Sequence, residues 1–244
     1  MILRANVAAK AGAARALLLQ IVEAHSPAVF TTSFGAEDMV MFDLIAGGND
    51  VDLKATLKTI TIATLDTGRL PEETYQVWQA AVERYRRKVS VFFPAASAVE
   101  SYVRIHGINS FYDSVAERKA CCHIRKIEPL KRALVGKSGW ITGLRRAQAA
   151  TRAELPVEES DKDHGLMKFN PLADWSEDEI WVYLRANDVP VNALHARGYP
   201  SIGCAPCTRA IAPGEDIRAG RWWWESADSK ECGLHVAQLE AEPS

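Results

Sequence analysis

The chain has 244 residues, 48% of them apolar and 25% charged, the balance of a folded globular protein with one large core and an appendage; disorder as a global description is excluded. Its 29 basic residues stand against 31 acidic ones, a formal charge of −2, which gives no bulk electrostatic basis for binding nucleic acid or an anionic membrane. No apolar run approaches the roughly 20 residues that cross a bilayer, so neither nucleic acid nor membrane is an expected partner and a cytoplasmic location is the default expectation.

The first segment carries Arg4, Lys10 and Arg15 before its first acid, a bias shared with organellar transit peptides. Val7, Ala11, Ala14, Leu17, Leu18, Ile21 and Val22 recur at helical spacing, however, and predict an amphipathic helix packed on a core. Short apolar runs then alternate with helical stretches, the pattern of a Rossmann-like parallel sheet with flanking helices. Strands are predicted near 28–33, 59–65, 88–93 and 139–143, and helices near 36–45, 71–86, 95–105 and 122–134. The acidic stretch 155–165 reads as a surface loop. Ser176 with Glu179 three residues later is a capping-box signature, so a helix should run to about Ala186. From Tyr199 the pattern breaks up into glycines, prolines, three of the five cysteines and the consecutive Trp222, Trp223 and Trp224. The expected organisation is an α/β nucleotide-binding domain over 1–198 and an irregular C-terminal arm over 199–244.

Candidate binding residues lie where strands meet helices. Ser33, Phe34, Gly35 and Asp38 occupy the first such turn, where a hydroxyl, a glycine and free helix N–H groups can hold an anionic or nucleotide group. Phe34 stands where a triphosphate-binding pyrophosphatase loop has glycine, and Glu37 and Asp38 add negative charge, so a less charged nucleotide is favoured. Leu65 and Thr67 flank Asp66 in a second loop. Asp-Thr-Gly also begins an aspartic-protease site, but that chemistry needs two facing carboxylates and only one copy exists. After the fourth strand, Gly143 would let backbone approach a ligand closely, and the forks of Arg145, Arg146 and Arg152 match phosphate and sulfate geometry.

Five cysteines are too few for a disulfide scaffold of this size and read as ligands or reactive thiols. Cys121 and Cys122 are adjacent, and Cys204 and Cys207 form a C-x-x-C; four thiolates complete either a zinc or an iron–sulfur site. Adjacent cysteines are awkward around one tetrahedral ion, whereas a four-iron cluster spreads its ligands over separate irons. The spacing favours the cluster and leaves zinc open. Arg125 and Lys126 put positive charge within a helical turn of the thiols. Cys232, near Lys230 and His235, is left over and suits a mobile nucleophile, with a tail cysteine of no role as the plain alternative.

Together these segments resemble the assimilatory sulfonucleotide reductases, specifically the iron–sulfur branch of the adenylyl-sulfate reductases. The matches begin with Ser33-Phe-Gly-Ala-Glu-Asp38, Leu65-Asp-Thr-Gly-Arg69, Cys121-Cys122 with Arg125-Lys126, and Thr142-Gly-Leu-Arg-Arg146. They continue through Asn170-Pro-Leu-Ala-Asp-Trp-Ser176, Tyr199-Pro-Ser-Ile-Gly-Cys-Ala-Pro-Cys-Thr208, Arg221-Trp-Trp-Trp-Glu225 and Glu231-Cys-Gly-Leu-His235. The resemblance implies an adenine nucleotide alpha hydrolase-like fold and reduction of adenosine 5′-phosphosulfate to sulfite and AMP. It implies that Cys232 attacks the sulfur to form an S-sulfocysteine, which thioredoxin then cleaves. It further implies a [4Fe–4S] cluster on Cys121, Cys122, Cys204 and Cys207. Lys126, Arg218, Arg221 and His235 would contact the phosphosulfate; the Ser33 to Asp38 turn, Leu65, Thr67 and Gly143 would hold the adenosine, with Arg146 nearby. A homo-oligomer goes with the family, and since no redoxin-like domain follows the arm, the expected electron donor is an external thioredoxin or glutaredoxin. One departure is visible: alanines follow the arginine pair where many relatives carry Glu and Ser. The alternatives are a reductase of the 3′-phosphorylated substrate, whose branch generally lacks the four cysteines, and a zinc-stabilised nucleotide-binding protein for which Cys232 is dispensable. A tRNA-thiolating enzyme is disfavoured by the altered loop and the lack of a broad basic face.

Overall fold

The computed structural model describes residues 2–149 and 152–226. Five short strands pair in parallel: β1 (Ala28–Thr32), β2 (Thr61–Leu65), β3 (Ser90–Phe92), β4 (Gly139–Ile141) and, after an edge strand β5 (Glu158–Asp161), β6 (Leu166–Phe169). Their order across the sheet is β3-β2-β1-β4-β6-β5, with only β5 antiparallel to its neighbour. The register sets Val29 opposite both Thr61 and Trp140, and Ile141 opposite Phe169.

Alternation along the strands decides which layer each residue joins. Phe30, Ile62, Ile141 and Phe169 pack into the larger core with helices α1 (Ile2–Ala24), α2 (Ala36–Ala46) and α8 (Glu177–Ala186). Val29, Ala63, Trp140 and Leu166 face the other way, against Leu130 and Leu134 of α7 (Glu128–Leu134). Both faces of the central strands are therefore covered, as parallel strands require. The expected first helix forms, with Val7, Ala11, Ala14, Leu18 and Ile21 buried. The expected capping box also forms: the Glu179 amide donates to Ser176 Oγ at 3.2 Å and the Ser176 amide to Glu179 Oε2 at 2.8 Å. Glu179 in addition pairs with Lys10 at 2.6 Å, tying α8 to α1.

Three elements differ from expectation. The stretch 155–165 is not a loop throughout, because Glu158–Asp161 pairs with Leu166–Phe169 in a hairpin. An edge strand needs only backbone bonding on one side, so its acidic side chains carry no strand pattern. Helix α3 (Val51–Leu57) is short and is started by Asp50, whose carboxylate accepts from the Leu53 amide. The helix expected over 122–134 starts earlier, at Ser114, which caps α6 (Val115–Cys122), and passes through a π-helical stretch, His123–Ile127, before α7. Pro129 cannot donate back into this turn, which removes one bond that would hold an ordinary α-helix there. Helices α4 (Glu72–Tyr85) and α5 (Ala96–His106) match their expected spans within a residue or two.

Over the described residues 199–226 the chain is irregular, with a 3₁₀ turn at Ala205–Cys207 and an antiparallel bridge between Thr208 and Arg221. Bonds that fasten it to the sheet domain include Ala205 N–H to the Arg69 carbonyl at 2.8 Å, Thr67 Oγ1 with Cys204 Sγ at 3.3 Å, and Tyr112 O–H to the Pro206 carbonyl at 2.8 Å. No helix among the described residues is long and apolar enough to cross a membrane.

Candidate active site

Strand order reverses between β1 and β4, and ligands of such sheets bind in the crevice beyond the carboxyl ends of the strands at that point. The main cleft lies there, a cavity of about 240 Å³. It brings together Ser33, Gly35 and Asp38 after β1, Leu65 at the end of β2 and Thr67 beyond it, Gly143 after β4, Lys126 from the π-helical turn, and Arg218 and Arg221 from the arm.

The turn after β1 is set by Phe34, whose φ of 59° is left-handed. Its ring is fully buried and stacks on Trp78 at 5.5 Å between centroids. Phe34 therefore does not line the cleft; it anchors the loop from behind. Asp38 folds back on the same loop, accepting from the Ser33 amide at 2.5 Å and from Ser33 Oγ at 2.8 Å. Burial pushes the Asp38 carboxyl up to about 6, with the Ser33 bonds opposing and Glu37 adding to the shift. A Cβ on Gly143 would overlap the Asp38 carboxylate, so the approach of the β4 loop to the first turn of α2 requires glycine. Beneath it, Thr142 Oγ1 donates to Asn170 Oδ1 at 2.5 Å, and Asn170 donates to the Pro156 carbonyl at 2.9 Å. This gives the Asn170-Pro-Leu segment its place: it braces the β4 loop.

In the second loop Gly68 has φ 72°, and its amide donates to Asp66 Oδ1 at 2.9 Å. Tyr75 O–H bonds the same carboxylate at 2.9 Å, and burial, then Asp66, pushes the phenol up to about 12. Asp66 thus shapes the loop and is not among the cleft residues. Arg125 is buried and donates to the Thr67 carbonyl at 2.6 Å.

The arginines after β4 divide. Arg145 is buried in an ion pair with Glu37 at 2.7 Å and bonds the Trp175 carbonyl. Arg146, expected to touch ligand, turns outward to the Leu155 carbonyl and the Asp174 carboxylate and does not line the cleft. Arg145 is extended and caps a 3₁₀ turn that Arg146 begins, so the two side chains leave the backbone in different directions. Arg152 does line it, bonded to Gln148 at 2.7 Å. Cys232 and His235 lie outside the described residues. The cleft also holds residues the sequence does not flag. His195 sits on a 3₁₀ turn after α8 with both ring nitrogens buried and unbonded; burial lowers its basicity, partly offset by Glu37. Trp140 from β4 contributes an apolar wall and donates to Thr31 Oγ1 at 2.8 Å. Neither belongs to a local motif, since each arrives through tertiary packing alone.

Next to the cleft is a smaller cavity lined by Cys121, Cys122, Cys204 and Cys207 with Arg69, Arg118, Arg125 and Lys126. All four thiols are free. Burial raises Cys121 against the pull of Arg125, and it pushes Cys207 up to about 12, with Cys204 adding. Burial alone would raise Cys204 as well, but Lys126, the Thr67 hydroxyl, Arg221 and Arg125 outweigh it and lower that thiol. Among the described residues no group of three or more His, Cys, Asp or Glu side chains is arranged to hold a metal ion. The donor set is nevertheless one of soft sulfurs around one cavity under a cationic wall, which suits a thiolate-ligated anionic group. Lys126 and Trp222 line both cavities. Gly203 leaves room for the Arg221 guanidinium, which a Cβ there would overlap.

Comparison with known proteins follows this geometry. Residues 27–210 match the phosphoadenosine phosphosulfate reductase domain. A protein of Burkholderia cepacia named adenosine 5′-phosphosulfate reductase is 53% identical over 98% of this chain and 92% of its own. Among solved structures, phosphoadenylyl-sulfate reductase of Candida auris superposes with a TM-score of 0.65 at 26% identity, covering 82% of this chain and 90% of that one. An NH3-dependent NAD synthetase of Campylobacter jejuni shares the fold, with a TM-score of 0.52 at 11% identity over 75% of this chain and 74% of that one.

Proposed function

The chain belongs to the phosphoadenosine phosphosulfate reductase domain family and, within it, to the adenosine 5′-phosphosulfate reductases; from that premise we propose that it reduces adenosine 5′-phosphosulfate to sulfite and AMP in sulfate assimilation, through an S-sulfocysteine on Cys232 that thioredoxin or glutaredoxin resolves. The observation that carries the reading is the common wall of the two cavities, where Lys126 and Trp222 face both the nucleotide cleft and the four cysteines.

In this reading the Cys232 thiolate attacks the substrate sulfur. A sulfur–sulfur bond forms as the sulfur–oxygen bond breaks, and AMP leaves with that electron pair. A redoxin thiolate then attacks Cys232 Sγ, and sulfite leaves with the pair of the sulfur–sulfur bond. The second redoxin thiol opens the mixed disulfide, which returns Cys232 as a thiol and leaves the redoxin oxidised by two electrons. Lys126, Arg218 and Arg221, which line the cleft, offset the charge of the phosphosulfate and of the departing phosphate. Ser33, Gly35, Leu65, Thr67 and Gly143 hold the adenosine from the strand ends, and Asp38 keeps the Ser33 loop closed on them. His235 is assigned to the phosphosulfate on its position in the family motif. Cys121, Cys122, Cys204 and Cys207 are assigned to a [4Fe–4S] cluster, which when bound supplies a concentrated charge and ties the arm to the sheet domain. A cytoplasmic location, where a redoxin stays reduced, and a homo-oligomeric state complete the proposal.

The test is incubation with ³⁵S-labelled adenosine 5′-phosphosulfate without thiol, followed by peptide mapping. Label confined to Cys232 and released as sulfite by thioredoxin is expected; label elsewhere, or none, overturns the mechanism.

A further inference from the structure

The cationic wall of the cysteine cavity includes one charge that reaches into the arm. Arg118, in α6, is fully buried. Its guanidinium donates to both carboxylate oxygens of Glu225, Nε to Oε1 at 2.9 Å and Nη2 to Oε2 at 2.8 Å. The Glu225 side chain is itself only 3% exposed. The same guanidinium bonds the Cys122 side chain and lies 4.7 Å over the Trp222 ring. The Arg221 guanidinium lies 4.7 Å from the centroid of that ring as well. The Trp222 amide donates to the Cys207 carbonyl at 3.2 Å, and Trp222 adopts a left-handed φ of 41°, a conformation a bulky residue holds only under firm constraint.

These contacts form one continuous chain, from Cys122 through Arg118 to Trp222 and Glu225, and from Trp222 to Arg221 in the nucleotide cleft. Cys232 lies seven residues beyond Glu225 in sequence, so whatever fixes Glu225 fixes the point from which the chain continues to the nucleophile. We infer that Arg118 is a positioning residue: its bidentate pair with Glu225, stacked on Trp222 and bonded to Cys122, clamps the base of the tail to the cysteine site and so sets the rate at which Cys232 reaches the substrate sulfur. Arginine suits this role where lysine does not, because a planar fork can pair with a carboxylate and cover an aromatic face at once. The inference rests on the assignment of Cys232 as nucleophile.

The experiment measures single-turnover ³⁵S labelling of Cys232 at saturating substrate, with AMP affinity and iron content determined on the same samples, for Glu225→Gln, Arg118→Gln, Arg118→Lys and the double Gln variant. The clamp predicts labelling slowed at least tenfold in Glu225→Gln and Arg118→Gln, AMP affinity within about threefold of wild type, and a double variant no slower than the slower single one. Arg118→Lys should fall with the Gln variant. Glu225 sits in the arm, outside the sheet core, so Glu225→Gln carries the test if Arg118→Gln does not fold. Wild-type labelling in Glu225→Gln, loss of AMP affinity in step with labelling, or losses that multiply in the double variant would each overturn the clamp. Wild-type protein labelled at some other residue would instead refute the nucleophile, which keeps the two failures apart.

Discussion

The nucleotide cleft and the cysteine site share a wall but are held by different forces. The cleft is framed by strand ends whose backbone is fixed in the sheet, braced by neutral hydrogen bonds such as Thr142 to Asn170 and closed by a glycine contact at Gly143. The cysteine site joins a π-helical turn to an arm with little regular structure, through ion pairs, cation–aromatic stacking and four thiols. The first is preformed by the hydrophobic core. The second depends on charges and on the four thiols, so damage to one should leave the other measurable.

The largest expected effect is at the proposed nucleophile. Cys232→Ser should abolish turnover while iron content and AMP binding stay at wild-type levels, because an alcohol is a poorer nucleophile and leaves no sulfur–sulfur bond for a redoxin to cleave. Retained turnover in steady-state assays with thioredoxin would refute it.

Replacing Cys121, Cys122, Cys204 or Cys207 with Ser should remove most of the iron and loosen the arm, seen as new proteolysis between residues 199 and 226. The far-ultraviolet dichroism of the sheet domain should persist. If AMP binding to the sheet side disappeared together with the iron, the two regions would be one cooperative unit and the contrast drawn above would fail.

Substrate choice sharpens the contrast from the cleft side. A 3′-phosphate needs its own donors, and Arg145 is spent on Glu37 while Arg146 faces outward. Arg152 is the arginine after β4 that lines the cleft. The expected ratio of kcat/KM is about a hundredfold or more in favour of adenosine 5′-phosphosulfate, since burying the extra phosphate without sufficient partners costs at least a few kcal/mol. Equal values with both nucleotides would reject it, and Arg152→Gln should widen the ratio further if this arginine aids the minor substrate.

Gly143→Ala should weaken AMP binding by roughly tenfold and cost about 1–3 kcal/mol of stability, because the added methyl overlaps Asp38. Iron content should be unchanged; calorimetry and iron analysis on one sample read both.

The smallest effect is on pH dependence. The Asp38 carboxyl, raised to about 6 in the folded chain from an ordinary value of 3.8, binds its proton more tightly folded than unfolded. Its contribution is therefore most favourable below about pH 4 and is lost as pH rises through about 6. Asp38→Asn should remove that component, so the difference in unfolding free energy between variant and wild type should grow between pH 4 and 6 by on the order of 1–3 kcal/mol. A difference independent of pH in chemical denaturation would show that Asp38 titrates normally.

The alternation of apolar runs with helical stretches was enough to place β1, β2, β3 and β4 and most of their helices, because strand and helix periods are local properties of the chain. The capping pair Ser176 and Glu179 and the helical spacing of α1 were legible for the same reason. The acidic hairpin β5–β6 was not, since edge pairing leaves no apolar alternation to read. Motif residues such as Ser33, Thr67, Lys126 and the four cysteines announced the two sites, because their chemistry is carried by residue type and short spacing.

Only the tertiary structure decided how those residues face. Phe34 and Arg146 sit inside site motifs yet turn away from the cleft, one into the core and one to solvent. His195, Trp140 and Arg118 belong to no short motif yet line the cleft or the cysteine cavity. Side-chain direction depends on which neighbours fill the space behind each loop. That space is shared by residues more than a hundred positions apart, as Glu37 is from Arg145 and Arg118 from Glu225. No local pattern encodes such pairs, because the free energy that orients them is gained only once the sheet has brought the partners together.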